Sequence, residues 1–302
     1  MTTANILVVG SLAYDDVQTP VEHRTNVLGG AASYFAIAAG LYAPVRLVGV
    51  IGDDFREADV HRLRARGIDL AGLERRSGGS FRWLGKYDYA MNTAETINTD
   101  LGVFADWQPK VPDAFADSDF VFLANIDPEI QLATLRSVRA PKAVALDTMN
   151  YWIDHKREAL LEVISHVDIV SVNESEARQL CDTVSVPKAA REILALGPRA
   201  VVVKRGEYGS VLFTRAFSFW SPAFPFDEVI DPTGAGDSFA GGFLGHLAEC
   251  GSVDDRALRR ATLHGTVCAS FAVESFSVDG IEAATPADVE ARYRVLQDLV
   301  KV

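Results

Sequence analysis

The sequence has few cysteines, no cluster of basic residues and no long apolar run. Its three cysteines lie far apart without a CxxC pair, which argues against a zinc knuckle, a redox motif or a disulfide framework. The 29 basic against 41 acidic residues give a net charge of -12, so nucleic acid is not an expected partner. No apolar stretch approaches the roughly 20 residues of a membrane span, and the N-terminus lacks the basic start of a signal peptide. We therefore expect a cytoplasmic protein that binds neither nucleic acid nor membrane.

Short β-branched runs alternate with helical patterns along most of the chain. The runs cover 6–9, 45–51, 120–123, 143–146, 169–172 and 200–203, and the helical patterns cover 31–39, 55–66, 129–137, 156–164, 174–181 and 188–196. This alternation predicts right-handed βαβ crossovers, and hence an α/β fold with a central, mainly parallel sheet flanked by helices. Because we find no internal repeat or Pro/Gly-rich linker, residues 1–302 are expected to form a single domain.

One segment breaks this rhythm. Residues 80–107 are rich in aromatic residues and threonine and show no helical period, which predicts one or two β-hairpins. Together with the polar stretch after the first strand, they predict a small β lid formed by about residues 13–30 and 80–106. The aromatics of this lid could stack on a nucleobase, although cross-strand packing or a dimer surface is their commoner role; they are Phe81, Trp83, Tyr87 and Tyr89.

The strongest motif is DPTGAGDSFAGGF, residues 231–243. Small residues at Gly234, Ala235 and Gly236 precede an apolar pattern with helical spacing, so their backbone N–H groups and the helix dipole would favour an anion. A carboxylate beside an anion site is unfavourable unless it has a chemical role. Asp237 could accept the proton of a hydroxyl that attacks a phosphoryl group. The competing interpretation is a helix cap without a ligand.

The motif resembles the signature of the ribokinase-like (PfkB) carbohydrate kinases, DTxGAGD followed by Phe and small residues. In that family the last Asp is the catalytic base and the GAG amides form the anion hole, which implies these roles for Asp237 and the three residues before it. The first Asp and the nearby Thr help to hold a monovalent cation such as K⁺, which implies Asp231 and Thr233. Pro232 stands where many members have Thr.

The resemblance extends to the N-terminal part of the chain. GSLAYD matches the family's opening strand and loop, whose Asp binds substrate hydroxyls. This implies that Asp15 binds the acceptor, with Asp16 as the alternative. LGGAAS resembles the GG motif, in which Gly29 and Gly30 form a hinge and let the substrate approach the backbone closely.

Departures from the family pattern bear on the acceptor. Ribokinase itself follows the GG motif with a Lys and an Asn that contact ribose, whereas this chain has Ala31 and Tyr34. We therefore do not expect a strict ribokinase. Further candidates for binding acceptor hydroxyls follow predicted parallel strands, at the edge where α/β proteins bind ligands, or lie in the lid; they are Asn125, Asp127, Asn150 and Arg82.

Two more segments resemble the nucleotide site of the family. NESE contains Asn173 and Glu176 and matches the NxxE motif, which orients phosphate oxygens and magnesium-bound water; the same spacing predicts a capping box. VKRGEYGS resembles the loop that covers the nucleotide phosphates, with Gly206 and Gly209 at the expected places. Lys204 stands where many relatives have Thr, so it either contacts phosphate ionically or faces solvent.

The resemblance implies an ATP-dependent phosphotransferase that uses Mg²⁺ and acts on an alcohol group of a small sugar, polyol or similar acceptor. A nucleoside kinase is the alternative within the same chemistry. A ligand-binding regulator that keeps the fold without turnover is the alternative from another class. An uncovered lid edge further predicts a homodimer formed through the lid.

Overall fold

The computed structural model describes residues 4–301. The strands are β1 (Ile6–Val9), β2 (Ala13–Gln18), β3 (His23–Gly29), β4 (Val45–Ile51), β5 (Asp69–Arg75), β6 (Phe81–Tyr87), β7 (Ala94–Asp100), β8 (Phe120–Leu123), β9 (Ala143–Asp147), β10 (Ile169–Asn173), β11 (Ala200–Lys204), β12 (Ser210–Thr214) and β13 (Ser218–Ser221). The helices are α1 (Ala31–Ala39), α2 (Glu57–Ala65), α3 (Pro128–Leu135), α4 (Asn150–His155), α5 (Arg157–Ser165), α6 (Glu174–Leu180), α7 (Val186–Ala195), α8 (Ala235–Cys250), α9 (Asp255–Ala272), α10 (Asp279–Ala283) and α11 (Pro286–Leu299).

The main sheet has the order β13-β12-β11-β10-β9-β8-β1-β4-β5. Its strand pairs are parallel except for β11 with β12 and β12 with β13, which are antiparallel. Strands β1, β8 and β9 are buried along their whole length, as β-branched runs covered on both faces should be. Strand β1 lies between β8 and β4, so the strand order reverses there. Such a switch point opens a crevice at the carboxyl ends of the strands.

Helices cover both faces of this sheet. Successive residues of β1 belong to two separate cores, one with α1, α8 and α9 and the other with α3, α5, α6 and α7. Helix α8 approaches its neighbours closely, because a Cβ on Gly241 would lie 2.6 Å from the carbonyl oxygen of Phe35, and one on Gly242 would lie 2.6 Å from that of His264. The two glycines therefore serve helix packing. Within residues 4–301 we find no helix long and apolar enough to cross a membrane.

A second sheet, the lid sheet, consists of β3, β2, β6 and β7 in that order. Strand β2 pairs antiparallel with β3 and parallel with β6, and β6 and β7 form the hairpin expected from the aromatic segment. A small apolar cluster of Val17, Tyr87 and Phe276 joins the lid sheet to the main body. The fold class expected from the sequence is thereby confirmed.

Candidate active site

A cleft of about 1660 Å³ lies between the carboxyl ends of the main sheet and the lid sheet. Most of the residues singled out in the sequence line it, namely Asp15, Gly30, Asn125, Asn150, Asn173, Glu176, Lys204, Gly206, Thr233, Gly234, Gly236 and Asp237. Segments that are far apart in the chain therefore meet at one place. The cleft has room for a nucleotide and a second small molecule.

The GAG segment forms the N-terminus of α8. Gly234 precedes the helix with φ of 74°, in the left-handed region, and a Cβ there would lie 2.4 Å from the ring of Tyr34. Glycine is needed at this position for both reasons. The helix begins at Ala235, so the N–H groups of its first turn have no helical partner and can bind an anion.

Asp237 lies in the first turn of α8, at the edge of the cleft. Burial and the nearby Asp147 carboxylate raise the pKa of Asp237 to about 7, although the Lys204 ammonium acts in the opposite direction. A carboxylate with a pKa near neutrality is a suitable proton acceptor, because it is ionised at working pH yet basic enough to take a proton.

Lys204 forms a buried ion pair with Asp147, with 2.8 Å between Nζ and Oδ2. Burial alone would lower the pKa of Lys204, but the carboxylates of Asp147, Glu176 and Asp237 raise it overall. Lys204 is therefore charged and does not face solvent. Asp147 was not expected from the sequence; its signal was a single Asp at the carboxyl end of a buried strand, where ligands of α/β proteins bind.

Asn173 and Glu176 form the capping box of α6. The Asn173 side chain accepts a hydrogen bond from the Glu176 N–H at 2.8 Å, and the Glu176 carboxylate accepts one from the Asn173 N–H at 2.7 Å. Both residues also line the cleft, so the capping interpretation and a role at the nucleotide are compatible. Burial raises the pKa of Glu176 to about 7, partly offset by Lys204.

Asp15 lies at the other side of the cleft, on β2. Its carboxylate occupies the space that a side chain on Gly29 would fill, since a Cβ there would lie 1.9 Å from Oδ2. Burial, together with the carboxylates of Asp231 and Asp237, raises the pKa of Asp15 to about 8. Asp16 faces away and accepts a hydrogen bond from the Asn26 N–H at 2.6 Å. The geometry thus favours Asp15 over its neighbour.

The proposed monovalent-cation residues lie just before the GAG segment. Oδ1 of the fully buried Asp231 accepts a hydrogen bond from the Thr233 N–H at 2.9 Å, whereas Oδ2 has no hydrogen-bond partner within residues 4–301. A buried carboxylate oxygen without a donor is costly. Its chemistry therefore fits a small cation.

Comparison with known proteins identifies the family. The family model described as "pfkB family carbohydrate kinase" matches residues 2–283. The chain belongs to this family. A cytidine kinase from Thermococcus kodakarensis is 30% identical to this kinase over 246 residues, which covers 80% of this chain and 87% of the relative.

Solved structures share the fold of this kinase. The nucleoside kinase of Methanocaldococcus jannaschii has a TM-score of 0.78 at 23% identity, covering 97% of this chain and 99% of its own. The Burkholderia thailandensis nucleoside kinase in complex with ADP-inosine has a TM-score of 0.76 at 21% identity, covering 96% of this chain and 95% of its own. The expected ribokinase-like fold and the class of enzyme, a phosphotransferase with an alcohol group as acceptor, are confirmed.

Some candidates from the sequence are not among the residues that line the cleft, namely Asp16, Gly29, Arg82, Tyr89, Asp127, Gly209, Asp231 and Ala235. Ala235 is the first residue of α8, and Gly209, with φ of 81°, ends the loop after β11. Arg82 pairs with Asp54 at 2.8 Å. Asp127 caps α3 by accepting a hydrogen bond from the Glu129 N–H at 2.9 Å.

Asn125 and Asn150 lie at the rim of the kinase cleft, held by neighbouring side chains. Asn125 Oδ1 accepts a hydrogen bond from Nε1 of Trp152 at 3.0 Å, and Asn150 Nδ2 donates to the Gln179 side chain. Because an amide has both an acceptor oxygen and a donor NH₂ group, Asn125 can still donate through Nδ2 and Asn150 can still accept through Oδ1. They stay candidates for binding the acceptor.

The activity of this kinase should fall as pH decreases below about 8. In the roles expected from the sequence, Asp237, with a pKa of about 7, must be ionised to take a proton, and Asp15, with a pKa of about 8, accepts hydrogen bonds from hydroxyls more strongly when it is ionised. A profile of kcat/KM for the acceptor between pH 5 and 9 should rise through pH 7 to 8 and then level. A maximum near pH 5.5 would contradict these assignments.

Proposed function

We propose that this kinase transfers the γ-phosphoryl group of ATP to a primary hydroxyl of a small acceptor, with Asp237 as the general base. The observation that carries the proposal is the position of Asp237. Its partly buried carboxylate lies in the first turn of α8, beside the N–H groups of Gly234, Ala235 and Gly236 and in the same cleft as Asp15. A hydroxyl held by Asp15 would thus meet a proton acceptor and an anion site together.

The phosphates of ATP would lie over the N-terminus of α8. Lys204 and Asn173 would contact their oxygens, and the loop from Gly206 to Gly209 would cover them. Mg²⁺, when bound with ATP, neutralises phosphate charge during transfer. The Glu176 carboxylate, which faces the cleft beside Lys204, fits the role of orienting the water around that metal.

We propose a nucleoside as the acceptor in preference to a free sugar. Four aromatic side chains of the lid side, Phe81, Trp83, Tyr87 and Phe104, line the cleft, and Trp152 of α4 lines it as well. A free sugar bound at Asp15 would leave this aromatic wall in contact with water, whereas a base attached to the sugar could pack against it. The names of the cytidine kinase and nucleoside kinase relatives agree with this choice.

We also propose that Asp231 and Thr233 hold a monovalent cation such as K⁺ close to the anion site. The support is the buried Oδ2 of Asp231, for which the described residues provide no donor. Homodimerisation through the lid sheet stays a prediction as well. Its edge strands β3 and β7 are mostly exposed, and sedimentation of the wild-type protein would test it.

A screen of acceptors tests the proposed function. The purified protein is given ATP, Mg²⁺ and K⁺ with cytidine, inosine, adenosine, ribose or fructose, and acceptor-dependent ADP release is measured. We expect turnover with nucleosides, and an increase in the KM for the nucleoside but not for ATP in the variant Phe81→Leu. Turnover confined to free sugars would reject the nucleoside proposal and keep the kinase. Binding of ATP without turnover of any acceptor would favour the regulator.

A further inference from the structure

The ammonium group of Lys204 lies directly against the anion site at the start of α8. A Cβ placed on Gly236 would be 3.1 Å from Nζ and 3.8 Å from Cδ and Cε of Lys204. The side chain therefore lies beside the start of the helix, close to Gly236. This is the place that the proposed function, on which the inference rests, gives to the transferring phosphoryl group.

A cation at this place is unfavourable in the resting protein. The N-terminus of a helix carries a partial positive charge and attracts anions, not ammonium groups. Lys204 is held there by Asp147 at 2.8 Å, and the carboxylates of Glu176 and Asp237 act on it from the neighbouring elements. While no phosphate is bound, these three carboxylates therefore provide the negative charge that balances the Lys204 ammonium.

The other basic side chains that line the cleft are differently engaged. Arg178 and Arg205 both pair with Glu174, the latter with 2.5 Å between Nε and Oε2. Arg205 also lies between the rings of Tyr208 and Trp220, at 5.8 Å and 5.6 Å from their centres. Lys204 is the cation that the fold brings to the GAG segment itself.

We propose that Lys204 is a catalytic residue whose ammonium moves from Asp147 to the transferring phosphoryl group when ATP binds. Asp147 is its resting partner. Nζ is 2.8 Å from Oδ2 of Asp147 and would be 3.1 Å from a Cβ on Gly236, so the exchange would need only a small movement of the ammonium. After ADP leaves, the ammonium returns to Asp147.

The step is an in-line transfer. The bond from the γ-phosphorus to the oxygen that bridges the β- and γ-phosphates breaks, the bond to the acceptor oxygen forms, and the acceptor proton goes to Asp237. Negative charge that develops on the γ-phosphoryl and bridging oxygens is then opposite the Lys204 ammonium. A cation that has reached this position before transfer stabilises the transition state more than the ground state.

A purely structural ion pair is the competing explanation. Lys204 ends β11 and Asp147 ends β9, on the two sides of β10, and their pairing could simply fix these strand ends. In that case the loss of either charge should have the same effect, because each would leave the other buried without a partner. The two explanations differ in what happens when Asp147 is replaced.

The test compares Lys204→Met, Asp147→Asn and the double variant, in which neither buried charge remains. Binding of ATP is measured by calorimetry in EDTA, so that neither Mg²⁺ nor turnover enters the readout. We expect Lys204→Met and the double variant to bind ATP about 10- to 100-fold more weakly than wild type. Asp147→Asn, in which Lys204 is free for phosphate, should bind ATP more tightly.

Steady-state kinetics with Mg²⁺ form the second readout. Lys204→Met should lower kcat by about 100-fold, in the range found when one transition-state hydrogen-bond donor is removed, and Lys204→Arg should restore part of that loss. Equal weakening of ATP binding by Lys204→Met and Asp147→Asn, or unchanged binding in the double variant, would overturn the proposal. Since the binding readout needs no acceptor, it can hold even where the acceptor screen rejects the proposed function.

Discussion

Replacing Asp237 by Asn should lower kcat for acceptor phosphorylation by about 10³-fold while the Kd for ATP changes little. Removal of a general base typically costs about 10²- to 10⁴-fold, and Asn keeps the shape of the side chain at the start of α8. Asp237 lies partly buried beside the GAG segment, with no donor role toward the nucleotide in the proposed arrangement. Single-turnover transfer and calorimetric titration with ATP measure the two quantities.

The residual activity of this variant provides a further check. Wild type should lose activity as pH falls through the pKa of about 7 assigned to Asp237, whereas Asp237→Asn has no ionisable group at this position. The residual activity of the variant should therefore not show the decrease that wild type shows as pH falls through about 7. A variant that kept more than a tenth of the wild-type kcat would show that another group accepts the proton.

Replacing Asp15 by Asn should raise the KM for the acceptor by about 10- to 100-fold, the value of a hydrogen bond to a charged group. Asp15 lines the cleft, and its carboxylate lies beside Gly29; when ionised it can accept hydrogen bonds from two sugar hydroxyls. Asn can accept with only one atom. The KM for ATP should change less, because the nucleotide residues lie on the other side of the cleft.

The same substitution should stabilise the folded protein at alkaline pH. Asp15 has a pKa of about 8 in the folded chain against its usual 3.8. Between these values the folded state holds a proton that the unfolded state has released, so the stability of wild type falls as pH rises from about 4 to 8. Asn carries no such penalty. Its Tm should exceed that of wild type by several degrees at pH 8 and by little at pH 4.

Asp16→Asn is the matched control, because Asp16 is the next residue of β2 and its carboxylate faces Asn26 instead of the cleft. It should leave the KM for the acceptor near the wild-type value. If Asp16→Asn raised that KM and Asp15→Asn did not, the acceptor would lie on the other face of the lid sheet.

The buried strands could be predicted from the sequence because their signal is local. Strands β1, β4 and β8 begin and end where their apolar runs do. Strand β5 was not predicted, because Asp69–Arg75 contains charged residues and a glycine and has no continuous apolar run. It forms because it pairs with β4, and Gly72 is needed there: a Cβ would lie 2.6 Å from a methyl group of Val48. Such pairing depends on the tertiary fold.

The same distinction holds for the candidate site. The GAG segment and Asp237 are consecutive residues, so one motif contains both the anion site and the proposed base. Asp147 and Lys204 are 57 residues apart and belong to no shared motif. They meet because β9, β10 and β11 are neighbours in the sheet, with Asp147 beside Ser171 and Asn173 beside Lys204. Local reasoning from the chain does not reach contacts of this kind.

His264 is a buried packing residue of α9 and is not among the residues that line the cleft. The ring is stacked between His246 and Tyr293, with centres 4.1 Å and 4.2 Å away, and burial lowers its pKa to about 3. It stays neutral at physiological pH and takes no part in the proposed chemistry.

Phosphoryl transfer to a hydroxyl with Asp237 as the base is tested most directly by following the product. Wild type and Asp237→Asn are incubated with ATP, Mg²⁺ and the acceptor that is best in the screen, and the phosphorus species are resolved by ³¹P NMR. We expect wild type to form one phosphomonoester on a primary hydroxyl for each ADP released, and the variant to form almost none. Saturable binding of ATP and acceptor without any phosphomonoester would contradict it and would favour a regulator that has kept the fold.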